Sequence, residues 1–552
     1  MMRLARNTVF VLGGFAVACG SNTAGDGGGT GVGTGTTSAT GATGSGSTGT
    51  NGGAGGEPAT GSGAGGSGGA TSGGGGAGSP GAGGGVTVDG GGAAGMGGQA
   101  APDGSAPDSG TDVLDPAIVT SVGSVSSMRI GGAIDMLAGF PTRNACATPA
   151  MATTGIVAAR DWVRGQFQAI PGLTVSLEPF TFSVTIPTMG TCGPVTDQNV
   201  VAVKPGAHPD RVFVIGGHYD SRTVNVVDAA GRAPGANDSG SQTAAVLEIA
   251  RAMAPLSFDA TLVFASFAAE EQGLYGSAQL AKDYKTLVTP NANVEAMLDL
   301  DIVGGDNVAN GAAELAEFRL FSPGTPREIM TPMGVTDDES PSRNVMRYIG
   351  YWGHRYVPSM TMVPVLREDR PMRGSDHESF LNLAYPAVHF IETVESANAG
   401  MPGSHQHTAD DVPGFVTPAY AARIAEVVVS VAASLARAPM PPRMATAGGS
   451  GMGPWTISWT APAAGPAVDR YVIAARPTTE NFYRSRVVVP ATKTSQPVTA
   501  ADLGLSAGAP FYVSVASIDA QGHESLFAYP ELRCTTAGCM VPADALDVTA
   551  MK

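Results

Sequence analysis

Between residues 21 and 110 the chain has no Leu, Ile, Phe, Trp, Tyr, Lys or Arg. A stretch so poor in large apolar side chains cannot bury enough surface to offset the backbone entropy of folding, which excludes a packed domain there. Gly, Ala, Ser and Thr fill it instead, with a few Asp and Pro. Residues 20–112 are therefore predicted to be a disordered linker, spanning about 50 Å root-mean-square for a Gly-rich coil of this length. The match of Gly65-Gly66-Ser67-Gly68-Gly69 to a nucleophile-elbow pattern is a product of composition, since no strand and helix flank it.

Basic residues are also scarce: 31 Lys and Arg stand against 47 Asp and Glu, a formal net charge of −16. Nucleic acid needs clustered cationic side chains, so it is excluded as a partner. Long apolar runs are missing beyond the leader, which excludes a membrane-spanning helix by length. Within the first 19 residues Arg3 and Arg6 precede a short apolar stretch, Thr8–Ala18, ending in Ala16-Val17-Ala18-Cys19. This resembles a bacterial lipoprotein signal, with Cys19 carrying the lipid, and implies an anchored protein of the bacterial cell envelope. An ordinary signal peptide cleaved near Ala18 is the plainer alternative. Five cysteines are present. With Cys19 set aside, Cys534 and Cys539 are close enough to close a small loop, and Cys146 with Cys192 then pair by elimination; other connectivities stay open.

From 113 to 438 the texture is that of alternating strands and helices. Helices are predicted over 153–169, 242–253 and 276–284, and after Thr417-Pro418, where Tyr420, Ile424, Val427, Val428, Val431 and Leu435 recur at helical spacing. Strands are predicted over 173–182, 199–204, 211–216, 261–267, 296–303, 362–366 and 387–391. The fold class is α/β, a mostly parallel central sheet with helices on both faces, and its sites belong at the carboxyl ends of the strands. Residues 440–535 read as a small all-β sandwich resembling a fibronectin type III module, with strands over 455–459, 471–475, 486–489 and 511–518. Residues 536–552 read as a tail.

Five clusters of polar residues sit at element ends in the α/β segment. His218 follows a buried strand, and Asp220, two residues on, is placed to orient its imidazole. Asp238 lies in a turn ahead of a helix, where it is either a helix cap or a short carboxylate suited to bridging two cations. Glu270 and Glu271 are adjacent at the end of an uncharged strand; their repulsion is relieved by a cation, with one as ligand and the other taking a proton from water. Asp299 and Asp301 interrupt an apolar strand, and buried carboxylates need partners. His405 and His407 share a loop, His407 being the better placed beside Thr408 and Asp411. Each piece alone has a plainer reading as a polar loop, cap or edge strand. Two His and three or more carboxylates in one domain nonetheless form a mixed N/O set suited to paired Zn²⁺. No HExxH occurs, which excludes a single-helix zinc protease.

In order, HYDS at 218–221, NDSG at 237–240, EEQGLYGS at 270–277, LDLDIVG at 298–304, SDHESF at 375–380 and HTADD at 407–411 make this segment resemble the two-zinc aminopeptidases, a family that includes bacterial leucyl aminopeptidase, aminopeptidase Y and the glutaminyl cyclases. The resemblance implies two Zn²⁺ ions, one held by His218, Asp238 and Asp301 and the other by Asp238, Glu271 and His407. It makes Glu270 the general base, Asp220 the partner of His218 and Asp376 a member of a carboxylate relay. The implied substrates are peptides with a free N-terminus. Asp299, where the family often has Asn, and Gln406, where it often has Tyr, depart from the pattern and bear on the pocket. Glutaminyl cyclase activity and a non-catalytic tethered binding protein are the competing readings; oligomeric state is not legible.

Overall fold

The computed structural model describes residues 112–147, 154–286, 293–305, 316–323, 340–369, 373–393 and 405–541. The leader, Cys19, nearly all of the Gly-rich stretch and the last residues of the tail lie outside them. The α/β part begins with α1 (Pro116–Val122), α2 (Ser127–Ala138) and α3 (Ile156–Gln168). It continues with β1 (Thr174–Ile186), β2 (Gly190–Lys204), β3 (His208–His218), α4 (Gln242–Met253), β4 (Ala260–Phe267), α5 (Tyr275–Thr286), β5 (Asn293–Leu300) and β6 (Glu317–Phe321). It closes with α6 (Pro341–Tyr348), β7 (Thr361–Val365), α7 (His377–Leu381), β8 (Ala387–Glu392) and α8 (Pro418–Arg437).

The eight strands form one sheet in the order β1-β2-β4-β3-β5-β8-β6-β7. The centre, β4-β3-β5-β8, is parallel. The long β1–β2 hairpin joins it antiparallel, and β6 runs antiparallel to β8. The sheet is thus mixed: a parallel centre flanked by the antiparallel hairpin on one side and by β6 on the other. Every residue of β4 is buried, as a strand covered on both faces requires. Alternation sorts the two faces. Phe213, Ile215, Leu262, Phe264, Leu298 and Leu300 pack with Ile130 and Ile134 of α2, Val246 and Ile249 of α4 and Val428 and Val431 of α8. Val212, Val214, Val263, Ala265 and Met297 point the other way, under Leu280 and Ala281 of α5 and Phe380 of α7.

Two details differ from the sequence expectation. The strand expected over 296–303 ends at Leu300, so Asp299 points from the sheet while Asp301 begins the following loop, with Ile302 at φ 50°. Thr417 occupies the cap position of α8 but its side chain makes no cap hydrogen bond; Pro418 supplies the preset φ at the first turn. Helices α1, α2, α6 and α7 and strand β6 were unforeseen above; α1, α6, α7 and β6 are short, and α2 carries the adjacent glycines Gly131 and Gly132.

Beyond α8 two antiparallel sheets follow. One has three strands, β9 (Arg443–Gly448), β10 (Trp455–Thr460) and β13 (Ser495–Val498). The other has five: β11 (Arg470–Pro477), β12 (Ser485–Pro490), β14 (Phe511–Ile518), β15 (Leu532–Thr535) and β16 (Gly538–Met540). Trp455, Ile457, Trp459, Tyr471, Ile473 and Val513 make their shared core. Along β11 and β14 the opposite-facing Val472, Ala474, Ala516 and Ile518 belong to the α/β core cluster instead. Both faces of this sheet are therefore buried, which is why β14 carries no outward polar alternation. Glu531 receives Arg476 (2.7 Å) from its own sheet and Arg347 (3.1 Å) from α6. Disulfides join Cys146 to Cys192 and Cys534 to Cys539.

Candidate metal centre

The three central strands deliver their ends to one place. His218 closes β3 and is level with Phe267, the last residue of β4; Gly216 is level with Asp299 of β5. Glu270 and Glu271 follow β4 in a tight turn, Asp301 follows β5, and Asp238 precedes α4. His407 comes from the loop before α8. The turns are unusual locally: Ala269 (φ 58°), Ile302 (φ 50°) and His407 (φ 58°) sit in the left-handed region, which costs a non-glycine residue about 1–3 kcal/mol. These are the positions beside Glu270, beside Asp301 and at His407 itself. Strain gathered on site residues marks geometry held by the surrounding fold.

All five sequence-predicted metal ligands meet. His218 Nε2 lies 3.2 Å from Asp301 Oδ1 and 3.4 Å from Asp238 Oδ1. His407 Nε2 lies 2.9 Å from Asp238 Oδ2 and 3.1 Å from Glu271 Oε1. The set divides into two groups of potential donors, His218–Asp238–Asp301 and Asp238–Glu271–His407, sharing Asp238. Donor atoms around tetrahedral zinc, with bonds of about 2.0–2.2 Å, stand about 3.3–3.5 Å apart, close to these spacings. Glu271 Oε1 is buried and makes no hydrogen bond, although His407 Nε2 is 3.1 Å away. The two atoms converge on a common point rather than on each other, so the residues fit a zinc ion in each group. His405 is not part of the set; its ring stacks on Phe415 at 3.7 Å.

Asp220, fully buried, does two jobs. Its backbone oxygen and Oδ1 stand 3.2 and 3.5 Å from His218 Nδ1. Its carboxylate also accepts from the N–H groups of Glu270 (3.3 Å) and Glu271 (3.2 Å), fixing the turn that carries them. Several supports were not foreseen. Arg222, next to the HYDS run, donates to Glu271 Oε2 at 2.6 Å. Gln242, on the first turn of α4, donates to Asp301 Oδ1 at 2.9 Å. Asp411 accepts from the backbone of Asn237 (2.8 Å) and Asp238 (3.0 Å). Arg143, fully buried, donates to the carbonyls of Tyr219 (2.7 Å) and Gly235 (2.9 Å), tying HYDS to NDSG. Adjacency to the motifs was the available signal for Arg222 and Gln242; nothing local marks Arg143, far away in sequence.

The electrostatics separate the two adjacent glutamates. Burial pushes the Glu270 carboxyl well above its usual range; His218 opposes this, and the charges of Glu271, Asp301 and Asp376 reinforce it. Burial acts on Glu271 too, but Arg222 and His407 outweigh it and hold that carboxyl below its usual range. His407 is raised to about 9, burial being overcome by Glu271 and Asp238. A cation held among these groups would replace the protons that such a cluster otherwise retains. The residues border a pocket whose other walls include Ile302, Arg373, His389, Ile391 and Gln406.

Peptidase family M28 matches residues 199–432. A protein of Pyricularia oryzae named "Probable zinc metalloprotease" is 35% identical over 404 residues, 68% of this chain and 78% of that protein. A Pyrenophora teres f. teres protein of the same name is 34% identical over 350 residues, 59% and 70% of the two chains. Among solved structures, the Legionella pneumophila LapA aminopeptidase matches 58% of this chain and 72% of its own at 21% identity and a TM-score of 0.41. The location inferred from the leader is corrected by the curated relatives. They are fungal zinc metalloproteases and point to a eukaryotic protein, whereas the bacterial envelope and the lipid on Cys19 rested on three small residues ahead of one cysteine. With a relative this similar over most of its length, and with the donor residues gathered at the strand ends, the chain belongs to peptidase family M28 and is a zinc metallopeptidase.

Proposed function

We propose that the protein is a two-zinc aminopeptidase, with His218, Asp238 and Asp301 holding one ion, Asp238, Glu271 and His407 the other, and Glu270 as general base. The observation that carries this reading is the division of Asp238: its Oδ1 faces His218 and its Oδ2 faces His407, the posture of a carboxylate shared by two cations. Zinc bound there supplies a Lewis acid for the scissile carbonyl and lowers the pKa of water towards about 7. Glu270, whose Oε2 is 4.0 Å from His218 Nε2, takes the proton of the attacking water and returns it to the departing amine. Asp220 keeps that carboxylate in register through the backbone of its turn. The surrounding acids favour an ammonium group, so the free N-terminus of a peptide is the end that enters. Ile302 and Ile391 offer apolar surface to the first side chain. In the same reading residues 113–438 are the catalytic domain and 440–535 a fibronectin type III-like module.

The test is a panel of aminoacyl anilides with zinc counted per chain. The reading expects turnover with two zinc ions in this centre. Glu270→Gln should keep the metal and lose about 10²–10⁴-fold in kcat. Pyroglutamate formation from a peptide beginning with Gln, without anilide hydrolysis, would sink it in favour of the cyclase.

A further inference from the structure

A second buried constellation lies beneath the first. Side chains alternate along β5 and β8, so Asp299 shares the sheet face of Met297, and His389, directly opposite it in the parallel register, lies on that face too. Helix α7 covers this face and sets His377 over the pair. Asp299 Oδ2 is 3.3 Å from His377 Nδ1 and accepts from the His377 backbone at 3.1 Å. The two imidazoles have ring centres 5.0 Å apart. One potential donor atom from each of the three residues lies within 4.8 Å of the others. Exposure is 0% for Asp299 and 1% for each histidine.

We infer that Asp299, His377 and His389 form a further divalent-cation site, distinct from the centre at the strand ends and suited to zinc. These three residues carry unmet hydrogen-bonding capacity. Both ring nitrogens of His389, Nε2 of His377 and Oδ1 of Asp299 are buried and make no hydrogen bond. Each such atom, taken from water and left unpaired, works against folding. Four from three touching residues are more than an ordinary core tolerates, and a single cation satisfies one atom from each residue together. Two imidazoles and a carboxylate are donors that zinc accepts, and one such atom from each residue lies within 4.8 Å of the others. Asp376, next to His377, is likewise fully buried with both carboxylate oxygens unbonded. The site shares no residue with the first cluster. His389 also lines the pocket at the strand ends.

The test uses the full chain, saturated with ZnCl₂ and dialysed. Anomalous diffraction at the zinc edge should give a peak among Asp299, His377 and His389, separate from any between His218 and His407. Elemental analysis should give one zinc fewer per chain in His389→Phe than in the unaltered protein. A map with zinc at His218 and His407 but none at Asp299, together with an unchanged count in His389→Phe, overturns the inference. Since the map is taken on the unaltered protein, it decides the matter even where the variant does not fold.

Discussion

Asp411→Asn isolates the support beneath the bridging carboxylate. The two oxygens of Asp411 accept separately from the backbone N–H groups of Asn237 (2.8 Å) and Asp238 (3.0 Å). Asparagine has the same shape but one acceptor oxygen, so one N–H must face an NH₂ group. Hydrogen bonds to a charged acceptor contribute about 1.5–3 kcal/mol, and a buried donor left unmet costs about 1–3 kcal/mol. Some of this is recovered because burial raises the Asp411 carboxyl to about 7, so its charge is itself expensive to keep. A net loss of about 2–3 kcal/mol is the reasonable sum. The damage falls on the turn that aims Asp238, and outer partners of this kind change metal affinity by about 10–100-fold. Zinc titration against a competing chelator, with thermal unfolding of the metal-free protein alongside, reads both effects. An Asp411→Asn protein that binds zinc as tightly and unfolds at the same temperature would show that the Asn237–Asp238 backbone is held by the rest of the turn, and the reasoning would fail.

Three further outcomes are expected of the same fold. Removing zinc with a chelator should lower the unfolding midpoint, and restoring it to 1,000-fold above the dissociation constant should return about 4 kcal/mol; a melting curve indifferent to zinc would contradict a structural share for the ions. Replacing Cys146 and Cys192 by Ser opens a 46-residue separation, worth about 4 kcal/mol by loop entropy, against about 2 kcal/mol for the 5-residue separation of Cys534 and Cys539; denaturant titrations of the two double variants should rank in that order. His523 sits 2.7 Å from Asp519 and 2.7 Å from Asp115, which also receives Arg437. Burial works against its charge, but the two aspartates prevail and its pKa is raised. Its stabilising share is therefore complete below the unfolded value of about 6.5 and fades as pH climbs through the folded value; His523→Gln should flatten that slope in pH-dependent unfolding.

Sequence legibility followed the locality of the physics. Strand β4 announces itself as an uncharged apolar run and β3 by its apolar stretch Val212–Ile215, and their ends place His218 and the Glu270–Glu271 pair without further information. What was not legible depended on the partner across space. Asp220 was read as an orienting group for His218, which its position two residues away permits. That it also fixes the Glu270–Glu271 turn, 50 residues downstream, needs the β3–β4 register. Arg143 gathers the Tyr219 and Gly235 carbonyls from outside any motif, and a lone Arg after a helix carries no sign of burial. The region after α8 reads as a sandwich from its own alternation. That it shares a core with the α/β part is written only in the opposite-facing Val472, Ala474, Ala516 and Ile518.

Strand alternation also explains why the polar interior is layered. On β3, β5 and β8 the face turned towards α5 and α7 carries Val214, Met297 and Ala387 at one level, then Gly216, Asp299 and His389, then His218 at the end of β3 with Asp301 just past β5. Gly216 is level with Asp299 and has no side chain, and a Cβ there would meet the Phe267 ring at 2.6 Å. The apolar layer anchors the strands, and the outermost layer meets the pocket. The middle layer is the one for which packing alone has no use: an Asp and a His side by side on adjacent strands, under a second His, weaken the sheet's burial unless something polar joins them. A hydrogen bond joins Asp299 Oδ2 to His377 Nδ1, but it leaves Asp299 Oδ1, His377 Nε2 and both nitrogens of His389 unmet. Were the layer merely a relic of sheet packing, His389→Phe should raise the stability of the zinc-loaded protein, since a ring of similar size then replaces an unsatisfied imidazole. If a cation sits there, the same change should lower it, by the lost binding energy. The sign of that one difference separates the two accounts.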